Sequence, residues 1–416
     1  MKKYIKRNIE KNITLALKDT PVILVQGARQ VGKSTLVEKI ANEIDAVKVT
    51  LDNEAALNIA KEVPLDFVEQ NENGTLVIDE IQLRPQLLRT IKYSVDRNRR
   101  PGRFILTGSA DVLHVSGANE SLAGRIEKIK LNPFSIGELL GVTDDFITRI
   151  SKPDYNMYLT NFAVTSREKY IELICAGGYP EAVNRDVNRH KTFFENYLKS
   201  VLDHDATTIS NLAHLDKLEK VFTILSANTS EEFVQTKVSR ITGIPETSMN
   251  GYIRLLKDIY LINELPAWGR NLTKRAVSRK KVSISDTAIA CYLNNDTKEK
   301  LLDLINGDEL GSLMETFVVN ELFKQQTWSE TRFSLNHFRD HNKGEVDIII
   351  ELSDGRIIAL EVKSASSISR NDLAGIKLIK DKTGDMFHCG LILYTGNEVQ
   401  FLGKNIYAVP ISGIWY

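Results

Sequence analysis

Short apolar runs alternate with segments of helical periodicity in the N-terminal part of the chain. The run PVILVQG leads into a glycine-rich stretch, and the next segment, KSTLVEKIANEI, carries apolar residues at helical spacing. Further short apolar runs, separated by helical stretches, occur at residues 46–51, 75–78 and 103–107. Strands that alternate with helices in this way predict a parallel sheet covered by helices on both faces.

The pattern changes twice after this first sheet. Residues 134–214 show almost only helical periodicity, and a short three-helix pattern follows at 218–265. After a basic stretch the chain returns to a mixed pattern, with strands predicted at 345–352, 357–362 and 390–394. The segment before residue 21 predicts an amphipathic helix, and no internal repeat is visible.

Composition narrows the class of protein. The chain is 42% hydrophobic and 26% charged, and no apolar run approaches the roughly 18 residues of a membrane span. The N-terminus lacks the apolar core of a signal peptide, so we expect a cytoplasmic protein without a membrane segment. The three cysteines lie far apart without a CxxC pair, so neither zinc nor a disulfide framework is indicated. Zero formal net charge disfavours a protein that coats nucleic acid with its whole surface but allows one basic patch.

A phosphate-binding loop is predicted between the first strand and the following helix. The pattern G-x-x-x-x-G-K-[ST] is met by Gly27, Ala28, Arg29, Gln30, Val31, Gly32, Lys33 and Ser34, with Thr35 next in the helix. Glycines let backbone N–H groups close around phosphate oxygens, and the helix N-terminus favours the anion. Lys33 is expected to reach the β- and γ-phosphates of ATP, and Ser34 to ligate Mg²⁺. The alternative, a chance glycine-rich turn, is disfavoured by the strand and helix on either side.

An acidic pair ends the predicted strand in TLVIDE. Asp79 is expected to hold the magnesium shell and Glu80 to polarise the attacking water. Such a pair is common at strand ends, but downstream of a phosphate-binding loop it indicates an ATP-hydrolysing site. The adjacent glutamate favours hydrolysis over nucleotide storage.

Three residues outside these motifs are candidates for sensing or stabilising the γ-phosphate. Thr107 and Ser109 end the predicted strand RFILTGS, an edge that lies beside the γ-phosphate in parallel P-loop sheets; the alternative is a polar strand end without that role. Arg125 in LAGRIEKIK could stabilise transition-state charge in its own subunit or in a neighbouring one. A surface or structural arginine is the alternative there.

These residues resemble a known group, prokaryotic P-loop ATPases of the AAA+ type (AAA_14 domain) whose C-terminal half is the domain of unknown function DUF4143. The likeness is carried in order by YIKRNI, GARQVGKSTL, LVIDEIQ, FILTGSAD, LAGRIEKIKLNPFSIGEL, AGGYPEAV, KRAVSRKKVSISDTAIACYL, GSLMETFVVNEL, GEVDIII and IALEVKS. The resemblance implies an ATPase core, a helical and winged-helix middle, and a restriction-endonuclease-like end. AAA+ proteins commonly form rings, so it also implies a homo-oligomer.

The pattern and the resemblance together predict an α/β protein of four domains, since 416 residues exceed one ordinary core. A P-loop parallel-sheet ATPase core is expected at residues 1–133 and a helical lid or linker at 134–215. A winged helix-turn-helix is expected at 216–298, followed by an α/β restriction-endonuclease-like domain at 299–416.

The middle segment predicts a helix-turn-helix, with helices at 236–242 and 246–259 joined by a tight turn at Gly243. The exposed face of the second helix would carry Thr247, Ser248, Asn250 and Arg254, and YLINELPAW would form a wing strand. The stretch 270–281 that follows is half basic, with Arg270, Lys274, Arg275, Arg279, Lys280 and Lys281. In a chain of zero net charge such a cluster needs a counter-charge, for which DNA phosphate is the obvious source. A solvated surface loop and a protein-interaction module are the alternatives.

The C-terminal part contains carboxylates and a lysine in the order found in restriction-like nucleases. These are Glu315 on a predicted helix, Asp347 in GEVDIII, and Glu361 and Lys363 in ALEVK. Asp347 and Glu361 would hold Mg²⁺, with Glu315 as a further ligand, while Lys363 would position the attacking water. Glu361 and Lys363 are two residues apart and would share one strand face. The alternatives are a nuclease-like fold that binds DNA without cutting it, and a coincidental charge pattern.

Two hypotheses of function follow. The first is a DNA-associated motor or switch, in which ATP hydrolysis rearranges the winged helix and the C-terminal domain on branched or foreign DNA. The second is a signalling or scaffold ATPase whose nucleotide state controls a protein partner. Zero net charge favours the second, whereas the basic cluster and the nuclease-like residues favour the first.

Overall fold

The computed structural model describes residues 4–110, 122–159, 162–186, 189–209, 215–269, 271, 273, 275, 278–340 and 343–416. Its first sheet has five parallel strands in the order β2-β3-β4-β1-β5, of which the apolar runs predict all but β5. The elements up to this sheet's last strand are α1 (Glu10–Ala16), β1 (Val22–Gln26), α2 (Lys33–Glu43), β2 (Val47–Thr50), α3 (Glu54–Glu62), α4 (Pro64–Glu69), β3 (Leu76–Asp79), α5 (Leu87–Arg97), β4 (Phe104–Gly108) and β5 (Ile126–Lys130).

Six α-helices lie between the first sheet and residue 210 in the described residues, consistent with the helical periodicity of this segment. Ser135 begins the first of them with a capping box that includes Glu138. Their bounds are α6 (Ile136–Leu140), α7 (Phe146–Ile150), α8 (Arg167–Ala176), α9 (Pro180–Val183), α10 (His190–Ser200) and α11 (Ala206–Ile209).

The middle of the chain forms the expected helix-turn-helix. Gly243 ends the first helix of the pair with φ of 67°, a left-handed conformation that glycine adopts without steric cost. The elements are α12 (Leu218–Ala227), β6 (Glu231–Glu232), α13 (Gln235–Thr242), α14 (Glu246–Asp258), β7 (Ile262–Leu265) and β8 (Lys281–Ile284). The three strands form an antiparallel sheet in the order β6-β8-β7.

The C-terminal sheet has six strands of mixed direction in the order β13-β14-β12-β11-β10-β9. The three strands predicted from sequence correspond to β10, β11 and β12, whereas β9, β13 and β14 were not predicted. The elements are α15 (Thr287–Asn294), α16 (Lys298–Leu302), α17 (Gly307–Gln325), β9 (Phe333–Asp340), β10 (Gly344–Leu352), β11 (Ile357–Lys363), α18 (Ala374–Thr383), β12 (Phe387–Tyr394), β13 (Gln400–Gly403) and β14 (Ile406–Pro410). The α/β fold class is therefore confirmed.

The hydrophobic core connects the three sheets. Side chains of β1 alternate between two faces: Leu24 packs towards α5, while Ile23 faces a second apolar cluster. That second cluster continues through Leu256 of α14 to Leu360 of β11. Helix α17 adds polar connections, since the buried Glu321 accepts the N–H of Ile136 at 2.9 Å. The N-terminal sheet is thus packed continuously against the C-terminal end of the chain.

Two cysteines that are distant in sequence meet in this core. The thiols of Cys175 in α8 and Cys291 in α15 are close enough that each shifts the pKa of the other, and all three cysteines, including Cys389, are free. None of the helices in the described ranges is long and apolar enough to cross a membrane.

Candidate functional site

The predicted phosphate-binding loop connects β1 to α2. Gly32 has φ of 95° and forms the N-cap of α2, and Gln30 is also left-handed at 62°. At Gly27 a Cβ atom would lie 2.1 Å from the carbonyl oxygen of Leu131, so only glycine fits. No side chain in the described residues caps α2, which leaves its first N–H groups available to an anion.

Lys33 is buried at the inner side of this loop, with 5% exposure. Its Nζ donates to the carbonyl oxygens of Gly27 at 3.0 Å and Ala28 at 2.8 Å. Burial lowers the pKa of Lys33 to about 8, although the charges of Glu80 and Asp79 oppose that shift. A phosphate group beside Nζ would favour the charged form, so this ammonium group is suited to an anionic ligand.

The ends of β3 and β4 bring the predicted acidic pair to the loop. Ser34 Oγ donates to Asp79 Oδ1 at 3.2 Å, and the Thr107 hydroxyl donates to the same oxygen. The N–H of Glu80 donates to Thr107 Oγ1 at 3.0 Å. Hydroxyl and carboxylate oxygens in this arrangement are the ligands that Mg²⁺ prefers. The residues predicted to bind ATP and Mg²⁺ and to activate water therefore meet at one edge of the sheet.

Gln82 is a residue that the sequence analysis did not single out. Its Nε2 donates to the carboxylate of Glu80 and to Ser109 Oγ, the latter at 3.0 Å. The N–H of Ser109 donates back to Gln82 Oε1 at 3.3 Å. The only sequence signal for Gln82 was its place in LVIDEIQ, two residues after the acidic pair.

Arg125 lies at the end of the parallel strands opposite to the phosphate-binding loop. In the parallel pairing of β1 and β5, Val22 is opposite Ile126, and the N–H of Val22 donates to the Arg125 carbonyl at 3.1 Å. The loop leaves the other end of β1, and Arg125 Nε donates to Asp96. A role for Arg125 at its own subunit's site is therefore wrong, while a role at a neighbour's site stays a prediction.

The remaining loop residues contact two other parts of the chain. Arg29 is exposed and forms an ion pair with Asp205, Nη1 to Oδ1, at 3.1 Å, next to the start of α11. On the inner side, Arg7 Nη1 donates to the Val31 carbonyl at 3.0 Å, a contact that the sequence analysis did not anticipate. Thr35 is exposed on the first turn of α2.

In the C-terminal sheet, Asp347 and Glu361 lie next to each other as predicted. The antiparallel register of β10 and β11 places Ile348 opposite Leu360, and Asp347 Oδ2 accepts the N–H of Val362 at 2.9 Å. Lys363 Nζ lies 3.5 Å from Glu361 Oε2, so these two side chains share one face. Burial, together with the charge of Asp347, raises the pKa of Glu361 well above its usual value.

Lys281 is buried in a C-terminal cluster with Glu315 and Asp347 rather than exposed to solvent. Its side chain is 8% exposed, and its Nζ lies 2.7 Å from Glu315 Oε1 and 3.8 Å from Asp347 Oδ1. The prediction that Lys281 is a surface contact for phosphate is therefore wrong, because β8 carries it into the protein. Burial and the charge of Asp347 raise the pKa of Glu315 to about 8, although Lys281 opposes that shift.

Lys281 also affects the predicted role of Glu315. Its Nζ donates a hydrogen bond to Glu315 Oε1, so this carboxylate is paired within the chain rather than available as a further metal ligand. Among the residues that the structure describes, no group of three or more His, Cys, Asp or Glu side chains is arranged to hold a metal ion.

The predicted recognition face of α14 is exposed, and it consists of Thr247, Ser248, Asn250 and Arg254. Within the basic stretch, Arg270 and Lys274 lie outside the described residues. Arg275 pairs with Glu351 at 2.7 Å and Lys280 with Glu264 at 3.0 Å, while Arg279 is exposed. Carboxylates of the chain thus supply part of the counter-charge for which DNA phosphate was expected.

Three family models match the chain in succession. An AAA domain (AAA_14) matches residues 19–140, and the domains of unknown function DUF8612 and DUF4143 match 167–300 and 310–414. The chain thus carries an N-terminal AAA domain of the P-loop ATPase type and a C-terminal DUF4143 domain, as the resemblance implied. The restriction-endonuclease-like character of the C-terminal part stays a prediction.

Two mycobacterial proteins match nearly the whole chain. The chain is 26% identical over 413 residues to uncharacterized proteins of Mycobacterium tuberculosis and Mycobacterium bovis, covering 98% of this chain and 84% of each relative. Among solved structures, a Walker-type ATPase of Pyrococcus abyssi is 15% identical and covers 70% of this chain and 96% of its own, with a TM-score of 0.45. A signal transduction ATPase with numerous domains from Pyrococcus horikoshii is 10% identical and covers 78% and 47%, with a TM-score of 0.29.

Proposed function

We propose that this protein is a magnesium-dependent ATPase that acts on DNA, with the nucleotide controlling how the middle and C-terminal parts engage it. The observation that carries the ATPase part is the convergence of Lys33, Ser34 and Asp79 where β1 and β3 end. Ser34 and Asp79 would hold Mg²⁺, which neutralises phosphate charge when bound.

The chain's own groups account for the remaining requirements of hydrolysis. The free N–H groups at the start of α2 and the Lys33 ammonium bind the phosphates. Glu80 accepts a hydrogen bond from the attacking water and takes its proton. Thr107 holds both Asp79 and the backbone of Glu80, and so fixes the distance between the metal ligand and the base.

The ion pair between Arg29 and Asp205 provides a route from nucleotide to the rest of the protein. Arg29 belongs to the loop that binds phosphate, whereas Asp205 precedes α11 in the helical segment. Phosphate oxygens compete with Asp205 for Arg29, so binding of ATP weakens one contact between the loop and the helices. The continuous core then passes this change to α14 and the C-terminal sheet.

The DNA part of the proposal is supported by the surface of the helix-turn-helix. Polar residues cover the exposed face of α14, and Arg254 has 64% side-chain exposure. Arg279 is exposed two residues before β8, a strand of the sheet that follows this helix. These groups would contact phosphates and base edges in a groove.

A signalling or scaffold ATPase with a protein partner is the second candidate. It is favoured by zero net charge and by the carboxylate partners of Arg275 and Lys280. ATP turnover measured with single-stranded, duplex and branched DNA at two salt concentrations separates the two candidates. The proposal expects DNA to stimulate turnover and high salt to remove the stimulation. Turnover that no DNA changes at either salt concentration would favour the protein partner.

We further propose that the C-terminal domain supports DNA binding without cutting DNA. Lys281 and Lys363 neutralise the carboxylates at which a metal would bind, and Lys281 lies between two of them. Nicking assays on linear and branched DNA in Mg²⁺ or Mn²⁺ are expected to show no cleavage. Cleavage that is lost in Asp347→Ala and Lys363→Ala proteins with intact ATPase activity would instead establish a nuclease at these residues.

A homo-oligomer, such as a ring, is proposed by analogy with other AAA+ proteins. Because Arg125 lies far from its own loop along β1, it would act at a neighbour's site. Mixing Arg125→Ala with Lys33→Ala protein tests this, since mixed oligomers would contain sites with an intact loop and a neighbour's intact arginine. Activity above the sum of the two variants is expected, and activity equal to that sum would contradict the shared site.

A further inference from the structure

Gln82 links two strand ends next to the proposed catalytic base. It lies in a single 3₁₀ turn, Ile81–Leu83, directly after Glu80, which has a left-handed backbone with φ of 60°. A left-handed conformation is unfavourable for glutamate and persists where the surrounding structure demands it. Here it folds the chain back so that the Gln82 amide reaches the Glu80 carboxylate two residues earlier.

Both the amide nitrogen and the amide oxygen of Gln82 form hydrogen bonds with residues of the proposed site. Its Nε2 donates to Glu80 Oε2 and, at 3.0 Å, to Ser109 Oγ, while its Oε1 accepts the N–H of Ser109 at 3.3 Å. Ser109 is buried, with 6% exposure, and follows β4. Gln82 therefore connects the base on β3 to the polar end of β4.

We propose that Gln82 is a positioning residue for ATP hydrolysis, which holds one oxygen of Glu80 and leaves the other directed at the attacking water. This inference rests on the proposed ATPase function and assigns a residue that the site motifs do not include. It also gives Ser109 a defined role, because the Ser109 contacts fix the orientation of the amide. Thr107 fixes the backbone of Glu80, whereas Gln82 fixes its side chain.

The electrostatics of Glu80 point in the same direction. Burial raises the pKa of Glu80, and both the charge of Lys33 and the hydrogen bond from Gln82 lower it. The hydrogen bond from Gln82 therefore favours the ionised form of Glu80, the form that can accept a proton.

The test compares full-length Gln82→Leu and Gln82→Glu proteins with wild type, using Gln86→Leu as a matched control from the next turn. Gln82→Leu keeps the approximate volume of the side chain but removes both hydrogen-bonding groups. We expect ATP affinity to change less than about threefold. Turnover should fall by about 10- to 100-fold, the range for a misplaced catalytic group. Turnover should also fall in Gln82→Glu with little change in ATP affinity, because its carboxylate repels Glu80 instead of donating a hydrogen bond to it.

Two results would overturn the inference, and they differ in what else they affect. If Gln82→Leu lowers only the melting temperature, with kcat and ATP affinity equal to those of the control, Gln82 is merely structural. If Glu80→Gln also hydrolyses ATP at the normal rate, the assignment of the base fails together with that of Gln82. If Gln82→Leu has normal turnover while Glu80→Gln is slow, only the positioning role of Gln82 is rejected.

Discussion

Lys33 and Lys281 are both buried lysines near a pair of carboxylates, but they differ in what satisfies their charge. Lys33 donates to two main-chain carbonyl oxygens, and burial lowers its pKa to about 8. Lys281 contacts Glu315 and Asp347, and although burial alone would lower its pKa, the charges of these carboxylates raise it. Neutral carbonyl groups therefore hold the Lys33 ammonium, which suits it to a nucleotide phosphate, whereas carboxylates of the chain itself face Lys281.

This difference indicates how a ligand site can be distinguished from a structural charge cluster. Both regions place a lysine and acidic residues at strand ends, so residue types alone do not separate them. The distinction is whether the protein has already neutralised its charges, because a compensated cluster gains little from binding a further ion. On this comparison, we expect the first sheet to carry the chemistry and the C-terminal cluster to hold two parts of the chain together.

The largest expected effect is on hydrolysis at the first site. Glu80→Gln should bind ATP with nearly normal affinity and hydrolyse it about 10²- to 10⁴-fold more slowly, because an amide cannot accept the proton of water. Steady-state turnover and equilibrium ATP binding measure this. The matched variant in the C-terminal cluster, Glu361→Gln, should leave ATP turnover unchanged. Equal losses of turnover in the two variants would contradict the difference between the two sites.

The next effect is on stability at the second site. Lys281→Met leaves Glu315 and Asp347 buried without their cation, which should cost about 3 kcal/mol of unfolding free energy. Lys280→Met is the matched control, since its ion pair with Glu264 has an exposed lysine and should contribute less than about 1 kcal/mol. Chemical denaturation measures both.

The pH dependence of this loss gives a second check. Burial raises the pKa of Glu315 to about 8 even beside Lys281, and removing the lysine should raise that pKa further. Glu315 is then ionised above pH 8 in wild type but not in the variant, so the destabilisation in Lys281→Met should be nearly constant below pH 8 and grow above it. Equal stability of Lys281→Met and wild type at pH 8 would show that the cluster does not depend on this lysine.

A smaller effect is expected in the pH dependence of ATP binding. Lys33 must be protonated to attract phosphate, and its pKa without nucleotide is about 8. Affinity should therefore be constant below pH 8 and fall above it, by up to about tenfold per pH unit. Lys33→Arg stays charged over this range and should remove the decline, even if it binds ATP more weakly. A decline that persists in Lys33→Arg would assign the titration to another group.

The smallest effect concerns salt. If Arg254 and Arg279 contact phosphates, replacing both by alanine should reduce the slope of log affinity against log salt by nearly one unit per contact. Lys281→Met should leave the slope unchanged, because this lysine is buried. Titrations with labelled duplex DNA at several salt concentrations measure both slopes. An unchanged slope in the double variant would place any DNA elsewhere on the protein.

The nucleotide site was predictable from the sequence because its determinants are local or follow the order of the strands. Gly27, Lys33 and Ser34 occupy consecutive motif positions, and parallel strands bring Asp79 and Thr107 to the same edge. Gln82 was missed because its role depends on the left-handed backbone of Glu80, which no residue pattern indicates. Strand β5 was missed because it is an edge strand with charged residues at three of its five positions.

The C-terminal cluster was only partly predictable. The two-residue spacing correctly placed Glu361 and Lys363 on one face, and antiparallel pairing placed Asp347 beside them. The position of Lys281 could not be read from the basic run around it, because its burial depends on Glu315 and Asp347 in other elements. A run of like charges therefore indicates a surface only until its partners in the fold are known.

Binding of Mn²⁺ to the full chain, followed by electron paramagnetic resonance, tests the contrast between the two sites most directly. With a non-hydrolysable ATP analogue, we expect one tightly bound Mn²⁺ per chain. This binding should be lost in Asp79→Ala and retained in Asp347→Ala. Without nucleotide we expect only weak binding in all three proteins. Tight Mn²⁺ binding without nucleotide that disappears in Asp347→Ala would contradict the account, because it would show that the C-terminal carboxylates accept a metal despite Lys281.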